Sequence, residues 1–311
     1  MGNFRDELGE TFSRIGEEVP ELCVVTADVS KSTRSILFKE RWPERFYSVG
    51  IAEADAVGIA AGIASFGRPV IFTAYAMFAA GKPFEQIRNC LCYPNLNVTI
   101  VATHGGISTG EDGVTHQMTE DIAIMRALPN MKVLIAADPG EVYGAVMAAV
   151  RTPGPVYVRL GRSVGGVIHQ DRNAVDFVPG RAEILKEGSD AAVIAAGIMV
   201  EAALQAADIL EKEDIHVGVM NLRSVKPIDR EAIIAMAKKS GAVVTAEDHN
   251  VYGGVYSAVC EVLSSEYPVP VLPVAMMDTF AESGKGELLL KKYGLSSEAI
   301  VKKVKQIVEK K

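Results

Sequence analysis

Two patterns of apolar residues alternate along the chain. In some segments apolar residues recur at the spacing of a helix, and in others they form short continuous runs that are typical of a strand. Residues 3–19 carry Phe4, Leu8 and Phe12 at helical spacing, so these side chains share one face. Residues 22–27 form a short β-branched run, which predicts a strand. The same patterns predict further strands at 45–51, 69–73, 97–102, 133–136 and 155–160, and further helices at 52–66, 82–91, 120–126 and 138–150.

The alternation pauses in the middle of the chain and then returns. The stretch 163–190 lacks clear periodicity and carries turn residues, so we expect a linker at 166–190. Strict alternation of strands and helices is typical of a parallel sheet with helices on both faces. The sequence therefore predicts an α/β protein with two such domains, at 1–165 and 191–311. In the second domain we predict strands at 191–195, 216–221, 242–246 and 271–274, and helices at 197–212, 229–239 and 253–266.

One predicted helix of small residues contains two acids. The stretch 47–62, Y-S-V-G-I-A-E-A-D-A-V-G-I-A-A-G, places Glu53 and Asp55 among residues that favour close packing. An ionised carboxylate in such surroundings is costly unless it is paired, exposed or used. Two interpretations of Glu53 stay open at this point. It is either an N-terminal helix acid that satisfies free backbone N–H groups, or a carboxylate with a chemical task.

Polar residues follow two of the predicted strands, at the edge where parallel sheets bind ligands. Asp28 and several hydroxyl residues follow the strand at 22–27, either as part of a site or as a solvated turn. The stretch 103–120, T-H-G-G-I-S-T-G-E-D-G-V-T-H-Q-M-T-E, follows another strand and holds two histidines and four glycines. So many glycines indicate special backbone angles or a close approach to the backbone. No H-x-x-H pair accompanies the histidines, so we predict no metal site there.

Three aromatic residues, Phe72, Tyr75 and Phe78, recur at spacings of three. On a helical turn this spacing places the three rings on one face. Such a stripe either packs into a core or forms a platform for a flat ring, and the spacing alone leaves both interpretations open.

Composition narrows the class of protein. The 311 residues are 49% hydrophobic and 23% charged, which is typical of a soluble globular chain that buries a sizeable core. A net charge of −7 argues against a nucleic-acid surface, and the apolar runs are too short to span a membrane. The polar start predicts no signal peptide, and the four cysteines are expected to be reduced thiols of a cytoplasmic protein. Neither the dinucleotide nor the P-loop fingerprint occurs.

Taken together, these motifs resemble the C-terminal half of transketolase, in the form that some organisms encode as a separate subunit. The resemblance covers nearly the whole chain and rests on V-G-I-A-E-A-D-A-V-G-I-A-A-G and T-H-G-G-I-S-T-G-E-D-G-V-T-H-Q, supported by A-D-V-S-K-S and R-L-G-R. It implies a pyrimidine-binding domain at 1–165 and a transketolase C-terminal domain at 191–311. It also implies transfer of a two-carbon ketol unit from a ketose phosphate to an aldose phosphate, as in the pentose phosphate pathway.

The resemblance implies roles for individual residues. Glu53 falls on the glutamate that hydrogen-bonds N1′ of the aminopyrimidine of thiamine diphosphate, a role that we favour over that of a helix acid. His104 and His116 are expected to shuttle protons at substrate hydroxyls. The expected cofactor contacts besides Glu53 are Phe72, Tyr75 (as the stacking ring), Phe78 and Asp28. The expected substrate contacts are Ser32, Asp112 and Arg162. Arg5 is a further candidate phosphate contact, at a position where the alignment can slide by one residue.

One part of the family pattern is missing. Transketolases bind pyrophosphate and a divalent metal such as Mg²⁺ through a domain with a G-D-G motif, and the nearest string here, G-E-D-G at 110–113, belongs to the other motif. The resemblance therefore implies a partner subunit that carries this domain and an isolated chain that is inactive. It further implies an assembly of two of these chains with two partner subunits.

Two related enzymes and one non-enzymatic role stand as alternatives. The β subunit of a 2-oxo-acid dehydrogenase has the same two domains, and 1-deoxy-xylulose-5-phosphate synthase has a similar G-I-A-E segment. The strings T-H-G-G and D-G-V-T-H-Q favour transketolase over the β subunit. The synthase usually comes as one longer chain and differs at the place of His104. A catalytically silent regulatory subunit has no need of Glu53, His104, Asp112 and His116, which favours an enzyme.

Overall fold

Two mostly parallel β-sheets with helices on both of their faces form the core of the computed structural model, which describes residues 2–162, 164–171, 175–309 and 311. This arrangement confirms the predicted α/β fold class. No helix in the described ranges is long and apolar enough to cross a membrane.

The elements of the first domain follow the predicted alternation. Its strands are β1 (Gly2–Asn3), β2 (Cys23–Thr26), β3 (Phe46–Ser48), β4 (Val70–Tyr75), β5 (Val98–Thr103), β6 (Lys132–Ile135), β7 (Val156–Arg159) and β8 (Val164–Gly165). Its α-helices are α1 (Phe4–Glu18), α2 (Ile36–Arg41), α3 (Glu53–Ser65), α4 (Phe84–Gln86), α5 (Asp121–Ala127) and α6 (Val142–Arg151). Segments of 3₁₀ helix lie at Pro43–Arg45, Ile107–Asp112 and Pro139–Glu141, and π-helical segments lie at Met77–Gly81 and Ile87–Cys92.

The second domain repeats the alternation. Its strands are β9 (Glu183–Lys186), β10 (Ala191–Ala195), β11 (Val217–Asn221), β12 (Ser224–Lys226), β13 (Val243–Asn250) and β14 (Val271–Met276). Its helices are α7 (Met199–Glu211), α8 (Arg230–Ser240), α9 (Val255–Glu266), α10 (Gly286–Lys292) and α11 (Ser297–Val308). Asp229 begins α8 as an N-cap, because its Oδ1 accepts the N–H of Ala232 at 3.0 Å.

The central strands of the first sheet are covered by helices on both faces. The seven strands lie in the order β12, β6, β7, β5, β4, β2, β3, and all neighbours are parallel except β12 with β6. Strand β5 is buried along its whole length, as expected of a strand covered on both faces. The five strands of the second sheet lie in the order β14, β13, β10, β11, β9.

Strand β12 crosses from the second domain into the first sheet. It pairs antiparallel with β6, with Ser224 opposite Leu134 and Lys226 opposite Val133. The Lys226 ammonium also donates to the backbone carbonyls of Arg126 and Leu128, at the end of α5. The two domains are therefore joined by a shared β-ladder, a feature that the sequence patterns did not predict.

The stretch 166–190, which we expected to be a linker, contains an ordered strand. Strand β9 lies within it and pairs antiparallel with β11 at the edge of the second sheet. Residues 183–186 of the predicted linker therefore belong to the second sheet, where their backbone groups pair with β11. The boundaries at 165 and 191 stay a prediction.

A buried network of charged side chains also links the domains. His169 Nδ1 donates to Asp138 Oδ1, and its Nε2 donates to Glu183 Oε2, each at 2.9 Å. Arg223 pairs with Glu141 and, at 2.7 Å, with Glu183. Burial alone would lower the pKa of His169, but the hydrogen bonds to Asp138 and Glu183 outweigh it and raise that pKa to about 10. Although Asp138, Glu141 and His169 lie close enough to hold a metal ion, they are already paired with these partners.

Candidate active site

The carboxyl edge of the first sheet brings together segments that are far apart in the sequence. Strand β4 ends at Tyr75, strand β5 leads into His104, and strand β7 leads into Arg162. Because neighbouring parallel strands end at the same edge, these side chains meet there. The edge is the candidate active site.

Two histidines contact a pair of aromatic rings at this edge. The ring centroids of Tyr75 and His104 are 4.0 Å apart, and those of Tyr75 and Phe78 are 6.1 Å apart. His116 approaches the Phe78 ring edge-on at 5.1 Å. Tyr75 and Phe78 are both partly exposed, so the pair is not fully enclosed by the protein.

His104 is buried and held in an uncommon backbone conformation. It is 3% exposed, its φ angle is +61°, and Thr109 Oγ1 donates to its carbonyl at 2.8 Å. Burial lowers the pKa of His104 to about 3, and the positive charges of Arg162 and Arg5 act in the same direction. The imidazole is therefore neutral at neutral pH.

The loop between the histidines needs its glycines. Gly106, Gly110 and Gly113 all have φ angles near +78°, a region that L-residues rarely adopt. The prediction of special backbone angles in this stretch is confirmed. Gln117 Nε2 donates to the carbonyls of Gly110 and, in the second domain, of Glu282, so this loop is fixed against both domains.

Glu53 is a buried acid with a charged partner. It is the first residue of α3 and is 5% exposed, and its Oε2 accepts a hydrogen bond from Lys82 Nζ at 2.7 Å. The Lys82 side chain is half-exposed and lies over the Phe78 ring, with 5.4 Å between Nζ and the ring centroid. Within the described residues, this carboxylate is thus paired with an ammonium group that sits beside the aromatic pair.

A cationic cavity lies beside the histidines, between the two domains. It has a volume of about 410 Å³ and is lined by Asn3, Arg5, Ser108, Glu111, Arg162, Lys285, Gly286 and Glu287. Arg162 Nη1 also lies 3.4 Å from Asp112 Oδ2, which brings two predicted substrate contacts together. The lining holds three cationic side chains against the two acids Glu111 and Glu287, so a small excess of positive charge favours an anionic ligand.

Asp28 and Ser32 lie in the loop after β2. Asp28 is exposed, with a φ angle of +60°, and Ser32 is partly buried. Arg5 Nη2 donates to the carbonyl of Lys31 at 3.4 Å, so Arg5 connects this loop to the cationic cavity. Ser32 itself does not line the cavity.

Phe72 does not join the aromatic pair. It lies in β4, is fully buried in the core and pairs in register with Val25 and Ile100. The expectation of a helical turn at this spacing is wrong because the strand continues to Tyr75, and residues three apart in a strand point to opposite faces.

Sequence reasoning missed two lysines beside the site, Lys82 and Lys285. Lys82 follows Phe78 by four residues, a spacing that would have indicated contact if the segment had been placed on a helix. Lys285 reaches the cavity from the other domain, so no local pattern indicates it.

Two family models match this chain. The model described as transketolase, pyrimidine binding domain, matches residues 2–166, and the model described as transketolase, C-terminal domain, matches residues 180–300. Together they cover both of the sheets described above.

Three proteins illustrate matches that cover almost the whole of both chains. A protein of Methanocaldococcus jannaschii with the provisional name transketolase C-terminal section is 41% identical over 98% of this chain and 96% of its own. One subunit of an apulose-4-phosphate transketolase from Phocaeicola vulgatus is 35% identical over 98% of this chain and 97% of its own. A solved structure described as a split gene transketolase, inactive beta4 tetramer, is 45% identical with a TM-score of 0.89, covering 99% of this chain and 98% of that one.

Proposed function

The chain belongs to the transketolase family, and on that premise we propose that it supplies the pyrimidine-binding half of a thiamine-diphosphate site and the loop that handles sugar phosphates. A partner subunit with a G-D-G motif supplies the half that binds pyrophosphate and a divalent metal such as Mg²⁺. The observation that carries this proposal is the meeting of His104 and His116 on the partly exposed Tyr75–Phe78 pair.

The side chains at this edge fit the aminopyrimidine of thiamine diphosphate. Glu53 offers a buried carboxylate, and its present partner, Lys82, is a flexible side chain that is half-exposed and can move aside. Tyr75 and Phe78 offer flat ring faces beside it. When bound, thiamine diphosphate supplies the acidic C2 carbon that carries the two-carbon unit. Glu53 holds the proton at N1′, and the Tyr75 ring orients the pyrimidine.

The two histidines have different tasks in this proposal. A base is most effective when its pKa lies near the working pH, and the pKa of His104 is far below that range. His104 therefore suits hydrogen bonding to a substrate hydroxyl, as a neutral imidazole, better than proton abstraction. We assign proton transfer chiefly to His116, which is partly exposed and lies against Phe78.

The cationic cavity suits the phosphate group of a ketose or aldose phosphate. Arg162 offers a two-pronged donor set, with Arg5 and Lys285 as further positive charges on the cavity wall. We assign to Asp112, which lies beside Arg162, the role of accepting a hydrogen bond from a sugar hydroxyl. Ser32 and Asp28 remain predicted contacts from the loop after β2, to phosphate and to the cofactor respectively. Intermediates of the pentose phosphate pathway are the substrates to test first.

The active assembly in this proposal contains two of these chains and two partner subunits, in a cytoplasmic enzyme.

The alternative functions are those of the β subunit of a 2-oxo-acid dehydrogenase and of a chain like 1-deoxy-xylulose-5-phosphate synthase. Production of this chain with a G-D-G-bearing partner allows three reactions to be assayed side by side: ketol transfer between sugar phosphates, decarboxylation of 2-oxo acids, and condensation of pyruvate with glyceraldehyde phosphate.

We expect ketol transfer by the assembly and no activity from the isolated chain. The isolated chain should also bind thiamine diphosphate weakly, because it lacks the pyrophosphate half. Calorimetry that shows binding of the cofactor to this chain alone at about micromolar Kd contradicts the shared-site proposal. If the assembly is active in one of the other two assays and shows no ketol transfer, the enzyme of that assay becomes the proposed function in place of transketolase.

A further inference from the structure

Asp248, a residue of the second domain, reaches into the loop that carries His104. It lies in β13, is 2% exposed, and its Oδ1 accepts the backbone N–H of Ile107 at 3.0 Å. Ile107 is three residues after His104 in the chain. The hydrogen bond thus crosses from one domain to the candidate active site of the other.

Gly106 accommodates this carboxylate. A Cβ atom at Gly106 would lie 1.9 Å from Asp248 Oδ2, so the acid packs directly against the glycine backbone. Burial raises the pKa of Asp248, while Arg159 and the backbone N–H groups of Ile107 and Ser108 act in the opposite direction. The loop and the carboxylate are therefore fitted to each other.

A buried arginine fixes the surroundings of Asp248. Arg159 Nη2 donates to the Asp248 carbonyl at 2.8 Å, and its Nε pairs with Asp121 Oδ2 at 2.9 Å. At the loop itself, Gly106 N–H donates to the carbonyl of Met118 at 2.7 Å, which ties the beginning of the loop to its end. Residues from both domains hold this part of the loop in place.

The backbone of His104 depends on such support. A non-glycine residue with positive φ is strained and persists only where its surroundings fix it. The bond from Asp248 to Ile107 acts within three residues of this conformation. Loss of the bond frees the loop to relax and to move the imidazole away from the Tyr75 ring.

We propose that Asp248 is a positioning residue through which the second domain sets the geometry of the substrate loop. The inference deepens the proposed function and depends on it for its kinetic test. The C-terminal domain then influences the reaction indirectly, through the position of this loop.

The test compares three variants of the full chain. Asp248→Ala removes the acceptor for the Ile107 amide, whereas Asp248→Asn keeps an oxygen of similar reach. Asp138→Asn is the matched control, because Asp138 is an equally buried acid whose bonds to Ile168 and His169 also link the domains but lie outside the loop. If Asp248→Ala does not fold, Asp248→Ser, whose hydroxyl is shorter, takes its place.

The first readout is amide hydrogen exchange in the isolated chain, which requires no activity. Loss of one buried hydrogen bond should speed exchange at Ile107 by about tenfold in Asp248→Ala, with little change in Asp248→Asn. The second readout is steady-state kinetics of the assembly with its partner. A displaced loop should cost about 10–100-fold in kcat/KM for the sugar donor in Asp248→Ala, with recovery in Asp248→Asn.

The control separates positioning from stability. Asp138→Asn should lower the melting temperature but leave KM and the exchange at Ile107 near their original values. The proposal is overturned if Asp138→Asn, at an equal loss of melting temperature, reduces kcat/KM as much as Asp248→Ala does, or if exchange at Ile107 is unchanged in Asp248→Ala. An unmodified assembly without ketol transfer refutes the proposed function instead, and the exchange measurement still decides the role of Asp248.

Discussion

The Lys82 ammonium donates a hydrogen bond to the Glu53 carboxylate across 2.7 Å, and only the acid is buried. The pair connects the first turn of α3 with the segment that follows the Tyr75–Phe78 rings. In the proposed function, a cofactor nitrogen that binds Glu53 competes with this ammonium for the carboxylate. Under that proposal Lys82 is a competitor for the acid rather than a ligand of the cofactor.

Lys82→Met should therefore destabilise the isolated chain without weakening cofactor binding. Removal of the ammonium leaves a buried carboxylate unpaired, at a cost of about 1–2 kcal/mol, less than for a fully buried pair because Lys82 is half-exposed. Thermal melts measure the loss, and calorimetry on the assembly should give a Kd for thiamine diphosphate that is equal or lower. Lys82→Arg, which keeps the charge, is the control. A folded Lys82→Met assembly that no longer binds the cofactor would make Lys82 a ligand of it.

Glu53→Gln should leave the fold intact and slow the chemistry. Gln keeps the size and a hydrogen-bonding group but cannot supply the negative charge that favours a protonated pyrimidine. General acid–base assistance of this kind is worth about 10²–10⁴-fold in rate, so activity should fall by that range. Exchange of the C2 proton of the cofactor, followed by NMR after acid quench, measures the affected step. Exchange as fast as in the unmodified assembly would mean that Glu53 is a structural acid, for which Gln costs only about 1 kcal/mol of stability.

Arg162→Ala should discriminate between phosphorylated and unphosphorylated donors. Loss of a charge-assisted hydrogen bond is expected to raise KM for a ketose phosphate by about 10–100-fold, with a much smaller change for a donor without phosphate. Arg162→Lys keeps the charge but not the two-pronged donor set, so an intermediate KM is expected. Because Arg162 also donates to the Thr109 carbonyl, an equal rise for both donors would indicate that the arginine supports the loop and does not bind phosphate.

His169→Gln should change the pH dependence of stability on the alkaline side. The pKa of His169 is raised from 6.5 to about 10 in the folded chain, so the stability it contributes is fully present below pH 6.5 and is lost as pH rises to about 10. The groups that face it are Asp138, Glu141, Glu183 and Arg223.

In urea melts at neutral pH, His169→Gln should be less stable by about 3 kcal/mol, since it leaves buried Asp138 without its cation while Arg223 still pairs with Glu141 and Glu183. Between pH 6.5 and 10 its free energy of unfolding should then fall less steeply than that of the unmodified chain. His216→Gln is a matched control, because that histidine lies at the surface beside Glu211. Parallel pH profiles of His169→Gln and the unmodified chain would show that the network does not hold the proton.

Local patterns predicted the elements well and the contacts between them poorly. Strand β10 has the predicted bounds, and α8 lies within one residue of the predicted 229–239, because both depend on neighbouring residues. The expectation that Phe72 shares a face with Tyr75 is wrong, because residues three apart lie on one face of a helix but on opposite faces of a strand. The partners of Asp248 and Glu141 lie about 80 residues or more away in the chain, at Ile107 and Arg223, and no local pattern carries that information.

The ladder between β12 and β6 restricts the relative motion of the two domains and affects how the protein unfolds and aggregates. A hinge motion that separates the domains would have to break the backbone hydrogen bonds of this ladder and the Lys226 contacts at the end of α5, so such a motion is disfavoured. The same ladder covers one side of β6. A fragment cut after residue 165 would leave that strand edge open, and open edges recruit other strands. We therefore expect the whole chain to lose its structure in one cooperative step and the fragment to aggregate.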